Sequence, residues 1–270
     1  MTQKLFEILE SCGVSLSAPI SLKDCNILRP YKLEKAGFSS SDELFAVILA
    51  VPYLTKQDER NLSAYAVCRD YHGYFKELFA TLNAKLKVEY PCNRFAFFAD
   101  DSPIAERDAA ARACLGIIGD NGMLITEKYS SYVFLGEIIT DLSFECEAKP
   151  IRSCEGCGAC RRACPMSELG ECLSAITQKK GELTAAEANA MKKHGTVWGC
   201  DICQETCPHT IRAIKSGTIY TDIEYFKSET LPQLTSEALA EMTDEQFASR
   251  AYSWRGRKTI ARNLNIFENM

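Results

Sequence analysis

Two runs of cysteine define the chemistry open to this chain. Of 14 cysteines in 270 residues, Cys154, Cys157, Cys160 and Cys164 follow one another as C-x2-C-x2-C-x3-C, with Pro165 directly after. This spacing holds a [4Fe–4S] cluster, and where two clusters are present the fourth cysteine ligates the other one. A second run is therefore required. Cys200, Cys203 and Cys207, followed by Pro208, supply C-x2-C-x3-C-P, and Cys172 stands alone ahead of them as the first member. Exchange of the fourth ligand assigns Cys154, Cys157, Cys160 and Cys207 to one cluster. Cys172, Cys200, Cys203 and Cys164 take the other, and the two runs are used completely.

The spacing has a physical basis. Gaps of two residues wrap backbone around one face of a cubane, and proline ends the wrap because it lacks an N–H and fixes φ. Gly156, Gly158 and Ala159 let the backbone approach, so that its N–H groups can donate to sulfur. Zinc is usually held by paired C-x2-C knuckles, a different pattern. Disulfides are not expected either, because the N-terminus is amphipathic, carries acids and is not an export signal. The remaining cysteines, Cys12, Cys25, Cys68, Cys92, Cys114 and Cys146, share no spacing and read as small buried hydrophobes.

The rest of the chain must position these ligands. Hydrophobic residues make up 46%, ample for a packed core, and the length suits one large domain or two modest ones. A net charge of −5 gives no global basic character, so any nucleic-acid contact must be local. The longest apolar run, Leu44 to Pro52, is strand-sized and far short of a membrane span. A cytoplasmic protein with no membrane partner is expected.

Taken in order, residues 4–12 read as a helix ending at Gly13, while 14–42 show no pattern. Residues 43–51 form an apolar run stopped by Pro52, suited to a strand buried on both faces, as in an α/β sheet. Helical spacing covers about 59–87. Residues 94–99 are the next strand, followed by a helix capped by Ser102 with Pro103 at its first position, running to Leu115. Apolar stretches at 123–126 and 132–140 complete an order β-α-β-α-β-β, an α/β domain over residues 1–148. Residues 149–230 form a ferredoxin-like domain with two [4Fe–4S] clusters, in which Thr184 and Glu187 open a helix to His194 as a capping box. Residues 231–270 are a short helical C-terminal segment, with helices near 236–242 and 255–267.

Two clusters alone would make a ferredoxin, which needs no α/β domain ahead of it. That domain has neither G-x-G-x-x-G nor a Walker loop, which removes the common nucleotide readings. It does place Asp100 and Asp101 at the end of a strand, where open α/β sheets bind ligands. A helix cap beside Ser102 is the plainer role for one of them.

Further motifs fill in the first half. They are Arg69-Asp70-Tyr71-His72, Asp100-x-x-Pro103-x-x-Glu106-Arg107, Leu115-Gly116 with Gly119-x-Asn121, and Val133 to Thr140. Around the cysteines stand Cys172-Leu173-Ser174 and Gly199-Cys200-Asp201-x-Cys203-Gln204, with a looser Arg257-x-x-x-Ala261-Arg262-Asn263-Leu264 near the end. Together these resemble the epoxyqueuosine reductases, cobalamin-dependent iron–sulfur enzymes of tRNA modification. The resemblance implies base-off cobalamin between the two domains and electron supply through the clusters from an external donor such as a ferredoxin or flavodoxin. It also implies a tRNA substrate whose epoxide becomes an alkene with loss of water. Asp100 aligns with the family's proton donor, a role that requires its pKa to rise from about 3.9. Leu135, Gly136, Ser174 and Asp201 would line the corrin with Asp100, and Arg69 would lie nearby. Read without the resemblance, these are strand packing, a helix cap, a solvated loop acid and a surface charge.

The match has departures. Asp70-x-His72 begins the corrinoid motif D-x-H-x-x-G, but Phe75 replaces its glycine, so His72 is a poor lower ligand. Cys114 replaces a usual glycine and Asp120 a usual lysine. The chain also ends where the family's tRNA-gripping helical repeats would begin. What remains is Arg250, Arg255, Arg257, Lys258 and Arg262 with Tyr252 and Trp254, suited equally to RNA or to a solvated helix packed on the cluster half. Two other functions compete: a related cobalamin reductase of a free nucleoside or other small molecule, and a two-cluster electron-transfer protein without cobalamin.

Overall fold

The computed structural model describes residues 2–39, 41–57, 59–167 and 170–268. It is a mixed α/β structure that divides into two compact units, Met1–Pro52 with Tyr74–Cys157, and Tyr53–Gly73 with Gly158–Met270.

The first unit opens with α1 (Gln3–Ser11), ended by Gly13 at φ 84°, a left-handed position that suits glycine. Next come β1 (Ser17–Ser21), α2 (Pro30–Lys35) and β2 (Phe45–Pro52). The chain leaves for α3 (Ala64–Val67) and returns along α4 (Tyr71–Glu89) to β3 (Phe95–Phe98), α5 (Glu106–Arg112), the short pair β4 (Ile117–Ile118) and β5 (Leu124–Ile125), and β6 (Val133–Thr140). The main sheet runs β1-β2-β6-β3, and every pairing is antiparallel. The ligand rule for open parallel sheets therefore lends Asp100 no support.

Every residue of β2 is buried, because helices cover both faces of the strand. On one face Phe75 and Phe79 of α4 meet Gly136 and Phe97. On the other, Ala46, Ile48 and Ile139 join Leu33 of α2 and Ala109 and Ala110 of α5. Pro19 is tolerated in β1 because that strand lies at the sheet edge.

Two helix expectations change. The helix anticipated over 59–87 is broken between α3 and α4, where Cys68 is extended. Here tertiary pairing wins over periodicity: Arg69 bridges to Arg250, and Asp70 N–H donates to Ser249 O at 2.8 Å. Asp70 then restarts the helix, its carboxylate accepting His72 N–H at 3.1 Å. Ser102 does not cap α5; its hydroxyl accepts Ile104 N–H at 3.0 Å, a local turn that delays the helix to Glu106. That helix stops at Arg112 rather than Leu115.

The second unit carries α6 (Ala159–Ala163), α7 (Leu173–Thr177), α8 (Ala185–His194), α9 (Ile202–Glu205), α10 (Pro208–Ser216), α11 (Glu224–Lys227), α12 (Ser236–Glu241), α13 (Asp244–Ala248) and α14 (Arg257–Glu268). The capping box of Thr184 and Glu187 on α8 forms as expected. Trp198, fully buried, centres an apolar cluster with Leu62, Val67, Tyr252 and Ile260. A smaller cluster of Met166, Leu173, Ile176 and Met191 lies beside Cys164 and Cys200.

Candidate functional site

The cysteines sit where short helices begin or end. Cys164, Cys172 and Cys207 flank α6, α7 and α10 as cap residues, and Gly158 enters α6 at φ 71°. Pro208 is the first residue of α10, where its missing N–H costs nothing. In the second unit Cys160, Cys164, Cys172, Cys200 and Cys203 lie near enough to influence one another's ionisation. Burial pushes the Cys203 thiol up to about 12, with Cys200 and Cys172 adding to it. Burial likewise raises Cys200 to about 11, and Cys172 and Cys164 act on it. Neighbouring, partly buried thiols that oppose one another's ionisation suit a cationic centre that binds them as thiolates. Four of these residues, Cys164, Cys172, Cys200 and Cys203, make up one of the quartets expected from the sequence, and Cys160 of the other quartet also acts on Cys203.

Of the other expected ligands, Cys154 and Cys157 belong to the first unit and Cys160 and Cys207 to the second. Within the first unit Cys154 is tied to β4 by its N–H to Ile118 O at 2.9 Å. Its sulfur accepts Asp120 N–H at 3.3 Å, the kind of bond a cluster thiolate uses. Among the described residues no group of three or more His, Cys, Asp or Glu side chains is set around a single-ion position. Of the other cysteines Cys68 is buried, but Cys92 and Cys114 are exposed, so those two are not the buried hydrophobes expected.

Asp100 follows β3 on an exposed loop with φ 65°, a left-handed conformation rare outside glycine and most tolerated by Asp and Asn. Its N–H donates to Glu106 Oε1 at 3.2 Å. Neither aspartate caps α5. Asp101 is bound to Lys32 and lies 3.6 Å from Arg29, and the hydrogen bond to Lys32 holds its carboxyl below the usual range. Two neighbouring acids thus have different surroundings, one held by cations and one set on a strained turn.

The other expected pocket residues scatter by face and unit. Leu135 and Gly136 are consecutive on β6 and point to opposite faces; Leu135 joins the α5 side. Gly136 lies under Phe75, whose ring would meet an added Cβ at 2.6 Å. The large residue that spoils the corrinoid motif thus fills space that glycine on β6 leaves open. His72 is exposed, bonded to Asp70 at 2.8 Å and stacked on Tyr71.

In the second unit Arg69 stacks on Tyr225 at 4.2 Å, and Ser174 accepts from Gln178 at 3.2 Å. Asp201 is a buried hub: it accepts from Arg60 at 2.9 Å, Ala64 N–H at 2.6 Å and Gln204 at 3.0 Å. It is not a solvated loop acid. Arg60, Asp201, Cys200 and His194 share a cavity of about 430 Å³, and neither Arg69 nor Ser174 is among its lining residues. Arg60 was not singled out from sequence, since nothing in its spacing links it to a residue 141 positions away.

The basic C-terminal residues are largely internal. Arg250 donates to Glu229 O at 2.7 Å. Arg257 donates to Leu239 O, Met242 O and Thr243 O, and Arg262 to Lys179 O at 2.7 Å. Only Arg255, stacked on the exposed Trp254 at 4.0 Å, and Lys258 keep the character of a nucleic-acid surface.

Among the described residues no helix is long and apolar enough to cross a membrane. No family model matches the chain. The epoxyqueuosine reductase of Gloeobacter violaceus is 33% identical over 214 residues, covering 74% of this chain and 67% of that protein. That of Listeria monocytogenes is 33% identical over 251 residues, 85% of this chain and 64% of that protein. The chain thus spans about two thirds of the relatives' own length. A crystal structure of epoxyqueuosine reductase with an epoxyqueuosine-modified tRNA-Tyr stem loop superposes with a TM-score of 0.77 at 25% identity, over 98% of this chain and 80% of that one. By identity and coverage together, the chain belongs to the epoxyqueuosine reductase family.

Proposed function

We propose that the protein is an oxidoreductase that converts epoxyqueuosine to queuosine in tRNA, using two [4Fe–4S] clusters and base-off cobalamin. The observation that carries this reading is the 33% identity to epoxyqueuosine reductases over most of the chain. The neighbouring thiols and an acid on a strained turn, at positions the family motifs mark, agree with it. Residues 149–230 serve as the ferredoxin-like part, between an α/β domain (1–148) and a helical segment (231–270). The eight cysteines hold the clusters, and Arg69, Asp100, Leu135, Gly136, Ser174 and Asp201 are the residues assigned to the cobalamin. When bound, that cofactor supplies a strongly reducing centre, and the cofactor carries the hard step.

The protein supplies binding and protons. Removing an epoxide oxygen to leave an alkene takes two electrons and two protons and releases water. The oxygen leaves poorly as an alkoxide, so an acid must protonate it, and Asp100 is that acid. Asp100 is solvent-exposed on its loop; the shielding a proton donor needs comes from what it binds. Reconstituted protein with reduced cobalamin and an external donor is expected to turn over epoxyqueuosine tRNA, and Asp100→Asn to abolish product with iron content unchanged. Full-rate product from Asp100→Asn would remove Asp100 from the mechanism.

A free nucleoside as substrate is a second reading, favoured by the internal use of Arg250, Arg257 and Arg262. Equal turnover of the nucleoside and the modified tRNA would establish it.

A further inference from the structure

Glu137 is an acid in the wrong place for stability alone. It lies mid-strand on β6 between Ile48 of β2 and Phe98 of β3, both part of the apolar layer under α5. Its exposure is 0%. Among the described residues neither carboxylate oxygen is met by a backbone N–H or a cation, whereas buried acids are nearly always paired in that way. An apolar residue there would be the stabilising choice.

The groups that face it come from four segments. They are Glu106 at the start of α5, Ser102 from the preceding turn, Lys32 from α2 and Cys25 from the turn after β1. The Glu106 carboxyl and the Ser102 hydroxyl reach the Glu137 carboxyl. Lys32 is engaged by Asp101, and burial raises Cys25 to about 12, so the thiol is neutral. Glu106 is the one acid that also touches the catalytic loop: it accepts Asp100 N–H, and Asp100 and Arg29 act on it in turn. Burial first, then Glu106, pushes Glu137 well above the ordinary carboxylate range, and burial raises Glu106 as well. Two carboxyls in one apolar site cannot both ionise cheaply.

We propose that Glu137 and Glu106 share one proton and act together as positioning residues for the Asp100 acid. The proton on Glu137 lets Glu106 stay in the apolar layer with one oxygen turned to Asp100 N–H, which props the left-handed backbone that presents the Asp100 carboxyl. When the proton is lost at alkaline pH, two charges repel, Glu106 turns away and the loop loses its prop. This deepens the reading of Asp100 as proton donor and rests on it.

The test has readouts that do not need turnover. Infrared difference spectra of the protein at neutral pH are expected to show a protonated carboxyl band that Glu137→Gln removes. A carboxyl whose folded pKa is raised stabilises less as pH rises, because the native state binds more protons than the unfolded one. Wild-type stability should therefore fall from about pH 4.3, the ordinary Glu value, upward to the raised pKa, and Glu137→Gln should flatten that slope.

In turnover assays Glu137→Leu is expected to be at least as stable as wild type yet lower kcat about tenfold or more with KM unchanged, within the range that acid catalysis contributes. Glu137→Gln, which keeps volume and a donor, should rescue part of that loss. A missing band, a band that survives Glu137→Gln, or full kcat in Glu137→Leu would overturn the proposal. Should Glu137→Leu fail to fold, the band and the pH slope of Glu137→Gln decide. Failure of the Asp100 reading is separate: it shows as turnover by Asp100→Asn, whatever the infrared result.

Discussion

At the scale of single residues, Asp201 accepts hydrogen bonds from Arg60, Ala64 N–H and Gln204 while buried. The family resemblance sets it against the corrin, and without the resemblance it reads as a solvated loop acid. In the structure it joins the cysteine loop to residues 60–64 through Arg60 and Ala64 N–H. Nothing local in the sequence announces this, because the partner is far along the chain and burial is a property of the fold. Asp201→Ala would leave the Ala64 N–H and the Gln204 amide without their acceptor and Arg60 with Glu205 as its remaining carboxylate. A buried donor left without an acceptor costs about 1–3 kcal/mol. Chemical denaturation of the cluster-free protein should show a loss of that order. Asp201→Asn, which can still accept from Ala64, should lose less. A change under about 0.5 kcal/mol for Asp201→Ala would mean that the hub bears no load, as for ordinary surface substitutions.

At the scale of elements, periodicity located β2, β3, β6 and α8 within a residue or two, since each buries a regular face or carries its own cap. It failed where tertiary contacts override local preference. The break between α3 and α4 is enforced by pairing to 249–250, and β1 escaped notice because Pro19 and a polar pattern disguise an edge strand. The end of α5 shows how backbone shape leaves a trace in sequence. Cys114 stands where the family usually has glycine, and its φ is 62°. A non-glycine residue there carries strain of about 1–2 kcal/mol, offset in part by the greater freedom glycine has when unfolded. Cys114→Gly is therefore expected to raise stability by about 0.5–1 kcal/mol, read as a higher melting temperature under reducing conditions. Because Cys114 is exposed, no lost packing should mask the gain.

At the scale of the whole molecule, the cysteine spacing made the proposed cluster ligands legible, since ligand spacing is written locally. The partner surface was not. Five basic residues near the C-terminus suited RNA and a solvated packed helix equally; three of them hold backbone carbonyls, and charge alone cannot tell a clamp from a contact. The two kinds of arginine should separate by experiment. Arg257 closes the ends of α12 and α13 onto α14 with charge-assisted bonds to three carbonyls, each worth about 1.5–3 kcal/mol at most. Arg257→Ala should destabilise the protein by about 2 kcal/mol, while the folded fraction binds tRNA with unchanged affinity. Trp254 is 61% exposed and carries Arg255 on its face, an arrangement on which a base can stack. Base stacking on an aromatic is worth about 1–3 kcal/mol. Trp254→Ala should therefore weaken binding of the modified stem loop about tenfold, with little change in unfolding free energy. Equal binding by Trp254→Ala and wild type would place the RNA contact elsewhere and strengthen the case for a smaller substrate.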